Sequence, residues 1–269
     1  MIVISICATD EPANKPLNHT HRGTCCELMV VSQNTVAHLT SRNMLQPLAT
    51  QTLRERHPQR RNHFSVEDHF HFNREQGTIH DWHQARNILV TEDFIVGMIT
   101  GLEQEVGPAS TLVMYKIGEE WGLKDADFFQ RNFRQEYNRE LRQTNLSFLF
   151  EAWWWPFVTQ GWGNWDIDLS EQKNGFMFIN IFDSVVARTL GDVGKPVCYL
   201  YAGMFAGFFT GLIKKSLGCI EIQCYAMGET YCKFLVGKQE RIDAASFWQN
   251  EGASASDIEK RMKNGQLSP

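Results

Sequence analysis

Four residues in the C-terminal half of the chain have the types and spacing of a metal shell. Cys198 lies 23 residues before Glu221, Glu221 three before Cys224, and Cys224 eight before Cys232. Three thiolates and a carboxylate suit a borderline-soft divalent ion such as zinc, and four protein ligands leave no position for a reacting water, so such a site would be structural. Cys219, two residues before Glu221 on the same strand face, offers itself as a replacement fourth ligand. A set of four cysteines would also admit an iron–sulfur cluster, although these spacings match neither common ferredoxin pattern. Spacing alone favours a plainer reading, in which buried cysteines act as small hydrophobes.

A second group of residues is aromatic. Trp153, Trp154, Trp155, Trp162 and Trp165 crowd together near Phe157, and a glycine-rich segment downstream carries Phe205, Phe208 and Phe209. Aromatics at this density either fill a core or line a concave apolar pocket with a few orienting polar groups. The pocket candidates are Trp153, Trp154, Trp155, Phe205, Phe208 and Phe209. All nine histidines lie at or before His83. A cofactor that needs an imidazole ligand would therefore draw it from His69, His71, His80 or His83, all upstream of the cysteine cluster.

The elements that must position these groups follow from periodicity. Apolar residues Phe94, Ile95, Met98, Ile99, Leu102 and Val106 recur at helical spacing, with Thr91 as a cap and Gly107-Pro108 as a stop. Pro108 to Trp121 and Asp125 to Leu141 read as two further helices, and a helix after Asn145 is ended or bent by Pro156. Runs 163–169 and 176–182 form a hairpin across a polar turn, and Asp183 caps a short helix to Leu190. The run 197–213 carries no charged residue, and the helix read from it to about 216 is a buried one whose Gly203, Gly207 and Gly211 mark a tightly packed face; the same residues also fit a small-residue membrane motif. A second hairpin pairs 220–225 with 231–236 across Gly228. This places Glu221, Cys224 and Cys232 together, with Cys198 at the start of the preceding helix. The tail, 242–262, gives two short helices split at Gly252.

Strands that come as hairpins between helices exclude a parallel doubly wound sheet. The expected fold class is α+β: an antiparallel sheet of two hairpins with helices packed on one face. The domain reading is 1–43, a disordered arm or a start codon assigned too early, with Met44 as the alternative start; 44–91, an irregular extension rich in His and aromatics; 92–237, the ligand-binding domain; and 238–269, a helical tail. A net charge of −5 and a pI near 6.0 provide no basic footprint for nucleic acid. Seven cysteines, an odd number, suit a reducing compartment and free thiols or metal rather than a disulfide framework. The apolar start, Met1 to Cys7, has no basic residue before it and soon meets Asp10 and Glu11, so no secretory signal is read. A cytoplasmic protein without a transmembrane span is expected.

The run KPVCYLYAGMFAGFFTGLIKKSLGCIEIQCYAMGETYCKFLVG resembles the 4-vinyl-reductase (4VR) domain family, whose signature is a Cys before a Gly-rich helix, then Glu-x-x-Cys, a Gly turn and a Cys-x-Phe strand. The resemblance spans roughly 92–237 and is specific from 191 to 237. It implies a fold related to subunits of the TRAPP vesicle-tethering complex, often dimeric, and a small hydrophobic ligand. Phenol-sensing activators of the family hold zinc with three Cys and one Glu, which by resemblance fall on Cys198, Glu221, Cys224 and Cys232. The stretches GTIHDWH, WWWPFVTQGWGNWDIDL and GFMFINIFDSVVARTLGDVGKPVC resemble a cyanobacterial branch encoded near photosystem II assembly factors.

The function expected from this resemblance is a non-catalytic binding and assembly protein with structural zinc. Its ligand would be a tetrapyrrole such as chlorophyll or a precursor, and its partners a second 4VR chain and photosystem subunits. Peripheral contact with the thylakoid membrane is compatible with this reading. One alternative is a tetrapyrrole vinyl reductase or its accessory subunit. Against it, the glycine pair Gly161-x-Gly163 precedes a strand instead of opening a helix and so presents no helix N-terminus to a pyrophosphate. The other alternative is a sensor that signals to a separate effector.

Overall fold

The protein's structure, a computed structural model, describes residues 2–5 and 65–267. The expectation for residues 1–43 falls outside these, apart from a strand, β1, at Ile2–Ser5. The described residues divide into two compact units, one made of 91–149 and 156–267, the other chiefly of the residues before 91 together with Phe150–Trp155.

In the second unit a short helix, α1 (Val66–His69), leads into three antiparallel strands: β2 (Phe70–Asn73), β3 (Thr78–Asp81) and β4 (Arg86–Val90). The sheet order is β1-β4-β3-β2. This corrects the expectation of an irregular extension. Phe70 and Phe72 alternate with His71, a period-two pattern that the density of histidines masked. The connections are stitched locally: Asn73 Oδ1 accepts the Gln76 N–H at 3.0 Å, and Asp81 Oδ1 accepts the Ala85 N–H at 2.9 Å. His69 is buried, edge-on to Phe70 and to Trp155 at 4.7 and 4.9 Å between ring centres.

The larger unit is mixed helix and antiparallel sheet, as the order of elements predicts. Its helices are α2 (Glu92–Val106), α3 (Ser110–Tyr137), α4 (Leu146–Thr159), α5 (Val185–Leu190), α6 (Tyr199–Ile213), α7 (Gln239–Asn250) and α8 (Ala255–Lys263). Helix α4 gives its middle, Phe150–Trp155, to the other unit. The sheet consists of β5 (Asn164–Asp168), β6 (Phe176–Phe182), β7 (Gly218–Gln223) and β8 (Cys232–Gly237), in the order β5-β6-β8-β7. Each neighbouring pair is antiparallel.

Three boundaries differ from the sequence reading. Helix α3 runs 28 residues without the break expected near 122–124. No proline interrupts it, and Gly122 is paired with a neighbouring backbone rather than ending a turn. Asn138, in the left-handed conformation at φ 48°, terminates it. Pro156 sits inside α4, close enough to its end that the helix closes only at Thr159. Ser184, and not Asp183, caps α5: the Ser184 Oγ accepts the Ala187 N–H at 3.3 Å.

The uncharged helix α6 is buried along nearly its whole length because α3 covers it on one side and β7 and β8 on the other. Its glycines explain how α3 comes so close. A Cβ on Gly203 or Gly207 would lie 1.9 and 2.1 Å from the carbonyl oxygens of Tyr115 and Glu119. Reciprocally, a Cβ on Gly118 or Gly122 would lie 2.1 Å from the carbonyls of Leu200 and Met204. Two small-residue faces thus meet in one helix crossing inside the domain, and among the described residues no helix is long and apolar enough to cross a membrane.

The sheet carries a helical layer on its other face as well. Phe176, Phe178, Ile222 and Leu235 pack with Ile242, Trp248, Ile258 and Met262 of α7 and α8. The tail is therefore a structural layer, and both faces of β6 and β8 are buried.

Candidate metal centre

Strand alternation puts Cys219 and Glu221 of β7, and Cys232 and Phe234 of β8, on the α6 side of the sheet. By alternation alone Cys224, three residues after Glu221, would point the other way. The β7–β8 register slips by one residue between Glu221 and Gln223. Such a bulge re-aims the chain, and Cys224 returns to the side of Glu221. The Glu-x-x-Cys spacing is the sequence trace of that bulge. Gly228, at φ 83°, supports the turn that follows. Cys198 arrives from above as the residue preceding α6.

The four ligand atoms lie within 4.8 Å of one another and all four residues are buried. Cys198 Sγ is 3.7 Å from Cys232 Sγ, which is 3.9 Å from Cys224 Sγ. A tetrahedron of sulfurs at about 2.3 Å from zinc has edges of about 3.8 Å. All three thiols are free. The carboxylate of Glu221 is divided: Oε2 accepts the Cys198 backbone N–H at 2.9 Å, while Oε1 is buried without a hydrogen-bond partner. A buried carboxylate oxygen left unmatched costs free energy, and Oε1 is the oxygen that a bound cation would satisfy. The residues present therefore fit a four-coordinate metal.

Electrostatics point the same way. Burial pushes the Cys198 thiol and the Glu221 carboxyl well above their ordinary ranges. Cys224 alone is pulled down, to about 3, by hydrogen bonds from Cys198 and Cys232. The remaining donors also aim at sulfur: the Tyr225 N–H reaches Cys232 Sγ at 3.4 Å, and the Ser184 hydroxyl lies 3.5 Å from Cys198 Sγ. The Val193 and Gly194 N–H groups both bond the Ala226 carbonyl at 2.9 Å, tying the loop before Cys198 to the turn after Cys224. Cys219 is buried on β7 but stands outside the group of four.

Comparison with known proteins fits this corner of the molecule. Residues 177–238, which contain all four ligand candidates, match the family model of the 4-vinyl-reductase domain. The likeness to that family lies in residues 177–238. Two uncharacterized proteins of Methanocaldococcus jannaschii are similar over part of it. One is 38% identical over 58 residues, 22% of this chain and 36% of its own length. The other is 22% identical over 76 residues, 28% of this chain and 44% of its own length. The chain thus spans less than half of either relative. Among solved structures, the phenol-responsive sensory domain of the transcription activator PoxR, with phenol, shares the fold: TM-score 0.56, 17% identity, 74% of this chain and 96% of that one. A vinyl-4-reductase family protein from Methanocaldococcus jannaschii gives a TM-score of 0.35 at 19% identity, over 53% of this chain and 75% of that one.

The six aromatic pocket candidates fall into two groups. Trp153 and Trp155 are buried and Trp154 is half-buried on α4, within the smaller unit. Phe205, Phe208 and Phe209 are buried on α6 in the larger unit. Phe205 meets Trp165 and Phe234 at 5.1 and 5.2 Å, and Phe208 meets Phe129 at 5.9 Å. Sequence reasoning overlooked Ser184 and Tyr201. Ser184 was legible as a cap, since Ser immediately precedes the apolar run Val185-Val186-Ala187. Tyr201 is buried, and its hydroxyl donates to the Trp162 carbonyl at 2.5 Å. Among the described residues, no second group of three or more His, Cys, Asp or Glu donors assembles, His69, His71, His80 and His83 included.

Proposed function

We propose that the 4-vinyl-reductase domain is a zinc-stapled receptor for a small apolar molecule, with no catalytic step of its own. The observation that carries this reading is the buried Cys198, Glu221, Cys224 and Cys232 set with its unmatched Glu221 oxygen. Three thiolates and a carboxylate favour zinc, and a closed four-ligand shell holds structure rather than activating water. Within this domain the residues proposed to face the ligand are Phe205, Phe208 and Phe209 of α6.

The fold shared with a phenol-responsive sensory domain makes small aromatics the first class to test. The narrower version, a tetrapyrrole receptor assisting photosystem II assembly, rests on the sequence resemblance described above. Purification from the native source followed by an absorption spectrum separates the readings: a Soret-type band supports a tetrapyrrole, and a flavin band supports a reductase. A protein without pigment whose tryptophan fluorescence responds to none of a panel of phenols and porphyrins would overturn the receptor reading.

A second chain, either a copy of this one or another 4VR protein, is the proposed partner for the exposed apolar residues Phe94, Val106, Leu112 and Ile117. Light scattering is expected to give a dimer. A strict monomer with no copurifying chain would contradict this.

A further inference from the structure

The solvent-facing wall of the metal centre is one short stretch of chain. Between Cys224 and Cys232 the backbone makes a 3-10 turn, Tyr225–Met227, in which Met227 is exposed, and runs on through exposed Gly228, Glu229 and Thr230. Helix α6 and strand β8, which close the cluster elsewhere, are buried nearly throughout. An ion entering or leaving the buried cluster therefore has to displace the turn. Tyr225 is also part of the shell's support, since its N–H reaches Cys232 Sγ at 3.4 Å.

The turn is held from the backbone and by a side chain. The Val193 and Gly194 N–H groups bond the Ala226 carbonyl. From α5, Arg188 Nη1 donates to the Tyr225 hydroxyl at 2.7 Å, and the guanidinium carbon lies 4.9 Å from the centre of the Tyr225 ring. Asp183, just before α5, pairs with Arg188 Nε at 3.5 Å and steadies the guanidinium. Tyr225 is thus fixed at both ends, its N–H on a ligand sulfur and its hydroxyl on Arg188.

We propose that Arg188 is a positioning residue of the metal centre: it latches Tyr225, and with it the turn between Cys224 and Cys232, and so sets how fast a metal ion enters and leaves. This rests on the metal-centre reading. The Arg188 contacts touch no ligand atom, so they add nothing to the ligand bonds themselves. They are made whenever the turn is closed and are broken only in the locally opened form. Loosening the latch should therefore speed entry and release together and leave Kd, their ratio, nearly unchanged.

The test uses the full chain loaded with cobalt(II), whose thiolate-to-cobalt charge-transfer band reports the filled shell. Mixing with excess chelator gives the release rate, and chelator competition at equilibrium gives Kd. Arg188→Ala should release cobalt about 5- to 10-fold faster, through loss of one hydrogen bond from a charged group and one exposed cation–π contact, with Kd changed by less than about twofold. Tyr225→Phe, which keeps the ring and loses the hydroxyl, should release it about 2- to 5-fold faster. Asp127→Asn breaks a comparably exposed ion pair with Lys214, at the opposite end of α6 from Cys198, and should change neither quantity. Release unchanged in Arg188→Ala, or release and Kd altered by the same factor, would overturn the proposal while leaving the metal centre intact. Absence of any charge-transfer band in the wild type would overturn the metal reading and this proposal with it.

Discussion

The two faces of the β5–β8 sheet are closed by different means. On the α7–α8 face, Phe176, Phe178, Leu235, Trp248 and Met262 meet as a self-sufficient apolar layer, sealed at its edge by Lys233, Glu259 and Lys263. On the α6 face, large aromatics share the layer with three thiols and a carboxylate, one oxygen of which is unmatched. The first face is closed by the chain alone, whereas the second presents a donor set that could hold a cation. Burial without chemistry and burial for chemistry thus sit back to back across one sheet, and perturbing each should have different consequences.

The largest effect is expected from Cys224→Ser, which breaks the shell. Because the site forms only in the folded chain, metal affinity is folding free energy. At metal concentrations about 1,000-fold above Kd, its loss removes about 4 kcal/mol. Chemical denaturation together with metal analysis should show both losses, while Cys219→Ser should keep the metal. On the opposite face, Trp248→Ala should cost about 3 kcal/mol through the cavity it leaves, with metal content per folded chain unchanged. Loss of metal from that variant would mean that the two faces are not independent.

Gly203→Ala comes next. Its methyl group would collide with the Tyr115 carbonyl, and forcing α3 and α6 apart should cost about 2 kcal/mol. Because Cys198 leads into α6, this variant should also release metal faster, which chelator competition can time. The smallest effect is expected at the sealing ion pair. Burial raises the Glu259 carboxyl, but hydrogen bonds from Lys233 and Lys263 outweigh it and hold the group below its ordinary range. A lowered carboxylate contributes stability that is full above the ordinary glutamate range and is lost as pH falls through the lowered one. Glu259→Gln should therefore lower stability by less than about 1 kcal/mol at neutral pH and flatten its fall on acidification below the ordinary glutamate range.

How much of this was legible in the sequence depended on whether the signal was local. The hairpins at β5–β6 and β7–β8 and the packed glycines of α6 showed in alternation and spacing. So did the four ligand candidates, although spacing without the family resemblance left Cys219 and Glu221 unresolved. The bulge between Glu221 and Gln223 explains why: it is a departure from alternation that no propensity records. The split placed between Trp121 and Asp125 fell inside α3, where Gly122 admits the backbone at Met204. The layer of α7 and α8 on the second face was hidden because β6 alternates between two apolar faces, so its run Phe-Met-Phe-Ile reads as continuous. The roles of Ser184 and Tyr201 depend on contacts between residues distant in sequence, which no local pattern encodes.

Elemental analysis of the chain purified without chelator tests the central claim most directly, made alongside the Glu221→Gln and Cys219→Ser variants. The account predicts about one zinc per chain, retained in Cys219→Ser and weakened or lost in Glu221→Gln. A wild-type protein that is folded and free of metal, or one that needs Cys219 and not Glu221, would contradict it.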